Sequence, residues 1–300
     1  MKVPPATAFA RPAVRRLARW MFADSADWPT RRRRMELAVG GLPLPLGGVR
    51  VSPINLGGVQ AERLAPTAPD QLNLLYLHGG GYAVGSARTH RWLAARLASQ
   101  LYATTYVLDY RLAPEHPYPA AIDDALAAYR ALVKVGNPVA VVGDSAGGGL
   151  ALALALACRE AELPAPAAVG LLYPWLDLTA EGMTALPAAP REPMLNASLL
   201  GAFADAYGPE SVRSDQRVSP LRADLSGLPP VVLDACGDDL LVGQARDLAD
   251  RVRSSGGRIE FRELADAFHG YHALAPLLPG TVGVVDSFAR TLRTAAAGSR

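Results

Sequence analysis

The sequence predicts an α/β fold, a mostly parallel sheet covered by helices on both faces, from three observations. Short apolar runs alternate with longer runs rich in Ala and Leu along most of the 300 residues, as strands alternate with helices. Hydrophobic residues make up 50% of the chain, enough to fill a sizeable core. The segment Gly143-Asp144-Ser145-Ala146-Gly147 lies between a β-branched apolar run and an Ala/Leu-rich run, which places it at a strand-to-helix turn.

The individual elements follow from this alternation in chain order. The predicted strands are the short apolar or extended runs 49–53, 59–64, 72–77, 103–109, 138–142, 168–173, 231–235 and 258–264. The predicted helices are the Ala-, Leu- and Arg-rich runs 89–100, 119–133, 148–159, 246–254 and 282–296.

Two segments do not follow the alternation. Residues 1–46 form helical patterns broken by prolines, with Asp27-Trp28-Pro29 at a predicted turn, and residues 180–217 are rich in Pro, Ala and other small residues. We expect both segments to form a helical cap over the carboxyl edge of the sheet. The predicted organisation is one compact unit: N-terminal cap helices in 1–46, a catalytic domain in 47–179 and 218–300, and a cap insertion in 180–217.

Composition and charge disfavour several classes of function. The formal net charge is only +2, and no basic stripe is interleaved with aromatic residues, so nucleic-acid binding is disfavoured. The N-terminus lacks the apolar centre and cleavage pattern of a secretion signal. No segment reaches the ~18–20 apolar residues of a membrane span, so a cytoplasmic location is expected. The run Arg31-Arg32-Arg33-Arg34 is expected to be a solvated helix face rather than a site for anionic lipid or an acidic substrate.

The two cysteines do not indicate a metal site. Cys158 falls in a predicted helix and Cys236 at a predicted strand end, and neither belongs to a cluster of metal-ligating residues. We expect both to be buried free thiols and expect no metal or organic cofactor.

Ser145 is the candidate nucleophile, because its G-x-S-x-G motif lies where a strand turns sharply into a helix. The glycines leave room for a tight turn that projects the serine. The helix that follows directs its N-terminal N–H groups and positive dipole end at the same point.

A serine hydroxyl needs a base, and the chain has five histidines. In hydrolases with this turn the base follows the nucleophile in the chain, which leaves His269 and His272. His269 follows the last predicted strand directly and is favoured over His272, where a helix is predicted to start.

The acid that orients the base must lie between Ser145 and His269, at the end of a strand. Asp234 falls inside a predicted strand, whereas Asp238 and Asp239 both lie in the loop after it. The chemistry of these residues barely separates Asp238 from Asp239.

The segment His78-Gly79-Gly80-Gly81 follows a predicted strand and is the candidate oxyanion hole. Successive glycines let backbone N–H groups approach a ligand closely, and the N–H of Ala146 should supply a further donor. His78 precedes Ser145 and is expected to fix this loop by a hydrogen bond rather than to act as a base.

Four motifs in this order resemble the hormone-sensitive-lipase-like esterases of the α/β-hydrolase fold. The resemblance runs from about residue 49 to the C-terminus, and its motifs are His78-Gly79-Gly80-Gly81-Tyr82, residues 110–121, Gly143-Asp144-Ser145-Ala146-Gly147-Gly148 and Phe268-His269-Gly270-Tyr271.

The resemblance implies a role for each matching residue. Ser145 would be the nucleophile and His269 the base, with oxyanion donors from Gly80, Gly81 and Ala146. The acid would open an Asp-x-Leu stretch about thirty residues before the histidine, which favours Asp239 over Asp238, although Leu240 stands where the family usually has Pro. The family's usual His-Gly-Phe is His-Gly-Tyr here.

The resemblance also implies structural roles around the site. Residues 110–121 would brace a loop through a buried pair between Arg111 and Glu115, and Asp144 would brace the turn at Ser145. Leu199, Leu200 and Phe203 are candidate contacts for the acyl or alcohol part of a substrate, but ordinary cap packing explains them equally well.

The implied function is hydrolysis of short-to-medium acyl esters by a serine carboxylesterase through an acyl-enzyme, with a small-molecule ester as partner and a possible homodimer. Three alternatives stay open: a deacetylase, amidase or lactone hydrolase on the same triad, an interfacial lipase, and a binding protein of this fold that has lost catalysis. The presence of His269 disfavours the last.

Overall fold

An eight-stranded sheet forms the centre of the computed structural model, which describes residues 6–278 and 280–298. Its order is β1-β2-β4-β3-β5-β6-β7-β8, and β2 runs antiparallel to both of its neighbours while the other neighbouring pairs are parallel. The strands are β1 Arg50–Leu56, β2 Val59–Ala65, β3 Asn73–Leu77, β4 Thr104–Leu108, β5 Val139–Asp144, β6 Val169–Leu172, β7 Val231–Cys236 and β8 Ile259–Leu264. The predicted α/β-hydrolase fold class, with its mostly parallel sheet, is confirmed.

Helices cover both faces of this sheet. The described α-helices are α1 Ala6–Met21, α2 Trp28–Met35, α3 Ala87–Leu101, α4 Ala120–Val133, α5 Ala146–Glu160, α6 Ala180–Thr184, α7 Ala197–Tyr207, α8 Val242–Ser254 and α9 Val282–Ala297. In the described part of the chain, no helix combines the length and apolar composition that crossing a bilayer requires.

The alternation of side chains along the central strands divides the core into two clusters. Leu75 and Leu77 of β3 pack on one face with α4, α5 and α8, whereas Leu74 and Tyr76 pack on the other with α3 and α9. Every residue of β3, β5, β6 and β7 is buried, which explains why these strands are continuous apolar runs in the sequence.

The N-terminal segment contains a helix start where a turn was predicted. The Asp27 side chain accepts a hydrogen bond from the Thr30 N–H at 2.9 Å and caps α2, with Pro29 in its first turn. An Asp-Trp-Pro sequence is compatible with a turn and with the start of a helix. Here the capping hydrogen bond from Thr30 to Asp27 stabilises the helix start.

The expectation that residues 31–34 form a solvated face is wrong for its first two arginines. Arg31 is only 6% exposed, with its guanidinium 4.6 Å from the centre of the Trp28 ring. Arg32 donates to the carbonyls of Ala83 and Ala113, each at 2.7 Å. For Arg32 the reason is that α2 lies against the loops after β3 and β4, whose carbonyls accept the guanidinium, whereas Arg31 stacks on Trp28 and donates to the Ala23 carbonyl.

The expected pair between Arg111 and Glu115 is also wrong. Arg111 binds Asp124 of α4 at 2.7 Å, whereas Glu115 binds Arg32 at 2.9 Å between Oε1 and Nη1. Arg111 thus ties the loop after β4 to α4, and Glu115 ties the same loop to α2. Cys158 and Cys236 are buried free thiols, as predicted.

Candidate active site

The turn between β5 and α5 holds Ser145 in a rare backbone conformation. Its φ is +53° and its ψ is −122°, outside the regions that L-residues favour. The Ser145 N–H donates to the Leu172 carbonyl at 2.9 Å, and the Ser145 carbonyl accepts from the Trp175 N–H at 2.9 Å. A Cβ on Gly147 would lie 2.1 Å from the Leu77 carbonyl oxygen, so the turn leaves room only for glycine there.

Ser145, His269 and Asp239 form a continuous hydrogen-bonded row. His269 Nε2 lies 2.8 Å from Ser145 Oγ, and His269 Nδ1 lies 2.7 Å from Asp239 Oδ2. Asp239 is 1% exposed, and its other oxygen accepts from the Leu241 N–H at 3.0 Å. The parallel order of β5, β7 and β8 brings the loops after these strands to one edge of the sheet.

The remaining candidates for acid and base have other partners. The Asp238 carboxylate accepts from Arg11 at 2.6 Å and forms an ion pair with Arg191 at 3.3 Å. Asp234 binds Arg262 at 2.7 Å and His272 at 2.9 Å. His272 and Asp234 therefore form a separate buried pair, and among these candidates only His269 and Asp239 are hydrogen-bonded in a row with Ser145.

The electrostatic surroundings of His269 favour its protonated form. Burial lowers the pKa of His269, but the Asp239 carboxylate, through its charge and its hydrogen bond, and the nearby carboxylates of Glu192 and Asp144 raise the pKa above its usual 6.5. The ring also contacts Tyr173 edge-on, with the ring centres 4.9 Å apart.

The glycine loop after β3 lies beside Ser145 with free donors. Among the described residues, the N–H groups of Gly80 and Gly81 make no backbone hydrogen bond, and both glycines line the cavity that contains Ser145 and His269. Ala146 opens α5, where the first N–H groups of a helix have no partner inside it. Gly81 has a φ of +59°, and a Cβ there would lie 2.3 Å from the Phe203 ring.

Asp144 braces this loop against the turn at Ser145. Its carboxylate accepts from the Gly79 N–H at 2.9 Å and the Tyr76 hydroxyl at 2.8 Å, and it lies 3.4 Å from His90 Nε2. Burial acts to raise the pKa of Asp144, but His90 and these hydrogen bonds lower it to about 2. Asp144 is thus a buried anion that accepts hydrogen bonds from groups fixed around it.

His78 is a neutral structural ring. Burial and the adjacent His90 lower the pKa of His78 to about 3. It stacks against Tyr110 at 4.3 Å between ring centres, and its Nδ1 lies 2.8 Å from the Gly79 carbonyl, to which a neutral ring donates. These contacts fit the loop-fixing role predicted for it.

An apolar cavity of about 100 Å³ lies above Ser145. Its floor is formed by Gly80, Gly81, Ser145 and His269, and its walls come from the N-terminal helices and the segment between β6 and β7. The wall residues include Val14, Leu17, Met21, Phe22, Met194, Leu195, Leu200 and Phe203. Leu200 and Phe203 thus line the cavity, whereas Leu199 lines a neighbouring groove.

Glu192 also contacts the site, although no feature of the sequence indicates it. It is 6% exposed and accepts a hydrogen bond from the His269 N–H at 2.8 Å. A single acidic residue between Arg191 and Pro193 carries no motif, so only the structure reveals this contact. Among residues 6–278 and 280–298, no group of three or more His, Cys, Asp or Glu side chains is arranged to hold a metal ion.

Comparison with known proteins gives one family and a set of related esterases. Residues 74–273 match the family model described as alpha/beta hydrolase fold. The chain is 38% identical over 265 residues to an acetyl-hydrolase of Streptomyces hygroscopicus, covering 87% of each chain. It is also 38% identical over 250 residues to the putative acetyl-hydrolase LipR of Mycobacterium tuberculosis, covering 82% of this chain and 81% of LipR.

Solved structures give the same result over almost the whole chain. An esterase from the bacterial hormone-sensitive lipase family has a TM-score of 0.87 at 34% identity, covering 98% of this chain and 99% of that one. A crystal of EstE5 that was soaked with p-nitrophenyl butyrate has a TM-score of 0.88 at 29% identity, covering 98% of this chain and 100% of that one.

Proposed function

This chain belongs to the α/β-hydrolase family, in its hormone-sensitive-lipase-like branch of serine carboxylesterases, and from that premise we propose that Ser145, Asp239 and His269 are its catalytic triad. We propose short-to-medium acyl esters as its substrates. The observation that carries the proposal is the row from Ser145 Oγ through His269 to Asp239, with contacts of 2.8 and 2.7 Å.

The acylation step uses each member of this row. His269 Nε2 accepts the proton of Ser145 as Oγ attacks the ester carbonyl carbon, and the carbonyl oxygen becomes an oxyanion. The N–H groups of Gly80, Gly81 and Ala146 bind that oxyanion, which we propose as the oxyanion hole. Asp239 holds the imidazole in the tautomer that accepts this proton and stabilises the imidazolium.

The imidazolium then donates its proton to the leaving alcohol as the carbon–oxygen ester bond breaks. The acyl group stays on Ser145 Oγ. Water attacks this acyl-enzyme, gives a proton to His269, and releases the carboxylic acid as Ser145 recovers its proton. The neutral ring of His269 is restored for the next cycle.

The size and lining of the cavity support a small acyl group. Its volume is about 100 Å³, Leu200, Phe203 and residues of α1 form part of its wall, and most of the lining is apolar. One relative is named an acetyl-hydrolase and another a putative acetyl-hydrolase, which agrees with a short acyl chain. A deacetylase or lactone hydrolase would use the same triad, but the related proteins named as esterases do not favour it.

The test is hydrolysis of p-nitrophenyl esters from acetate to dodecanoate, with Ser145→Ala as the control. We expect maximal kcat/KM between acetate and hexanoate, because longer chains exceed the cavity. The Ser145→Ala variant should lose nearly all turnover. Absence of hydrolysis by the wild type for every ester would overturn the proposal, and a maximum at the longest chains would overturn the substrate class.

We also propose the division of the chain into cap helices at 1–46, a catalytic domain at 47–179 and 218–300, and a cap insertion at 180–217. A homodimer is proposed as well, because β8 is an outer strand of the sheet in a single copy. Light scattering during size-exclusion chromatography should give twice the chain mass of 31.6 kDa. A single-chain mass at micromolar concentration would contradict the dimer.

A further inference from the structure

Glu192 lies between the cap and the candidate base. Its Oε2 accepts from the His269 N–H at 2.8 Å, and its Oε1 accepts from the Met194 N–H at 2.6 Å and the Leu195 N–H at 3.2 Å. One side chain therefore joins the backbone of the candidate base to two residues that line the cavity.

The contacts of Glu192 are those of a carboxylate anion. Both oxygens accept from backbone N–H groups, and a set of three donors stabilises the charged form. Burial and the charge of Asp239 raise the pKa of Glu192 above its usual 4.5, and His269 and the N–H donors offset part of that rise. The site thus holds two buried carboxylates, Asp239 on the ring and Glu192 on the backbone of the same histidine.

Arginines from α1 hold the Glu192 segment in place. Arg15 donates to the carbonyls of Pro190 and Glu192, each at 3.2 Å. Arg11 binds the Arg191 carbonyl and also donates to the Asp238 carboxylate and the Asp266 carbonyl, each at 2.6 Å. The position of Glu192 is therefore set by contacts that reach both loops of the triad.

We propose that Glu192 is a positioning residue for His269, which fixes its backbone through one hydrogen bond and supplies a second negative charge that stabilises the imidazolium. The inference rests on the proposed function of His269 as the base. Glu192 touches no reacting atom, so its effect reaches the reaction only through His269.

The effect of the Glu192 charge on the His269 imidazolium depends on the other groups around that ring. Asp239 and Asp144 are the other carboxylates, Tyr173 is an edge-on neutral ring, and Ser145 is the acceptor of the return proton. The charged groups that shift the pKa of His269 most are all carboxylates. Removing the charge of Glu192 therefore leaves Asp239 as the dominant stabiliser of the imidazolium.

The test compares Glu192→Gln, which removes the charge and keeps the shape, with Glu192→Asp, which keeps the charge and shortens the reach. For Glu192→Gln we expect the acid limb of kcat/KM to move about 0.5–1 unit to lower pH, since one unit corresponds to a tenfold change in the equilibrium. The kcat should fall by about three- to tenfold with KM within about twofold. Glu192→Asp should keep the wild-type acid limb while its kcat falls.

Glu181→Gln is the matched control, because Glu181 lies in the same insertion with its side chain 83% exposed and pairs with Arg222. It should match the wild type in every parameter. A Glu192→Gln enzyme with the wild-type acid limb overturns the proposal, whether its kcat is unchanged or falls equally at every pH with a lower Tm. If Glu192→Gln does not fold, Glu192→Asp with a kcat within twofold of the wild type overturns it.

Failure of this inference is distinguishable from failure of the proposed function. An active wild type and an inactive Ser145→Ala variant, together with an unaffected Glu192→Gln variant, contradict only the role of Glu192. An inactive wild type contradicts the proposed function itself.

Discussion

At the scale of single residues, Ser145 is held in a strained conformation before any substrate binds. A non-glycine residue in such a backbone region costs on the order of 1–3 kcal/mol, which the surrounding structure must supply. Here the Leu172 carbonyl and the Trp175 N–H hold the two sides of the turn. The hydroxyl is therefore already at 2.8 Å from His269 Nε2, and little reorganisation precedes proton transfer.

Asp239 and Asp238 give a matched pair of variants at adjacent positions. Asp239→Asn should lower kcat by about 10⁴-fold, because the amide donates toward Nδ1 and forces the wrong imidazole tautomer. Asp238→Asn loses an ion pair to Arg11 but leaves the row intact, and should keep kcat within about tenfold. Steady-state kinetics on p-nitrophenyl acetate measure both, and equal losses would contradict the assignment of the acid.

The pH profile follows from the raised pKa of His269. The base must be neutral to accept the proton of Ser145, so kcat/KM falls as the pH drops through the pKa of His269 in the free enzyme. Because the carboxylates raise that pKa, the acid limb should lie above 6.5, the usual histidine value. A limb below pH 6 for a neutral ester would show that burial outweighs Asp239.

The sequence predicts these residues unevenly, for a physical reason. Ser145 and His269 are predictable because local motifs and chain order constrain them. Asp239 and Asp238 are adjacent in one loop, but their side chains have different partners. Asp239 contacts His269, whereas Asp238 contacts Arg11, which is 227 residues away in the sequence. No local sequence pattern indicates Glu192, because its contact with the His269 N–H forms only when the insertion packs against the loop after β8.

At the scale of elements, α2 acts as a clamp on the glycine loop. Arg32 binds the carbonyls of Ala83 and Ala113 as well as the Glu115 carboxylate, so one guanidinium joins the loop after β3 to the loop after β4. A charged run in a sequence indicates solvent exposure on average, which is why these contacts were not predicted. The carbonyls that Arg32 binds are displayed only after both loops have folded.

Arg32→Ala should lower both stability and activity. It leaves two loop carbonyls without their donor, at a cost of about 1–3 kcal/mol, and loosens the loop that carries Gly80 and Gly81. Denaturant unfolding and kcat on p-nitrophenyl acetate measure the two effects. Arg33→Ala, at an exposed position of the same helix, should change neither, and similar losses for the two variants would contradict the clamp.

At the scale of the whole molecule, the parallel sheet determines where the site lies. The ends of β3, β5, β7 and β8 supply the glycine loop, Ser145, Asp239 and His269, respectively, so residues far apart in sequence meet at one edge. Continuous apolar runs made these strands predictable. The cap was only partly predictable. Helix α7 carries the apolar residues that made Leu200 and Phe203 candidates, whereas the segment around Glu192 lies outside any helix and has no periodicity that indicates which side chains are buried.

The central claim, that Ser145 is the nucleophile activated by His269 and Asp239, is tested most directly by labelling with a fluorophosphonate. The reagent phosphonylates an activated serine hydroxyl with loss of fluoride, and intact-mass and peptide mass spectrometry count and locate the adduct. We expect one adduct, on Ser145, formed in parallel with loss of esterase activity and strongly slowed in Asp239→Asn. An adduct elsewhere, or esterase activity that persists in fully labelled protein or in Ser145→Ala, would contradict it.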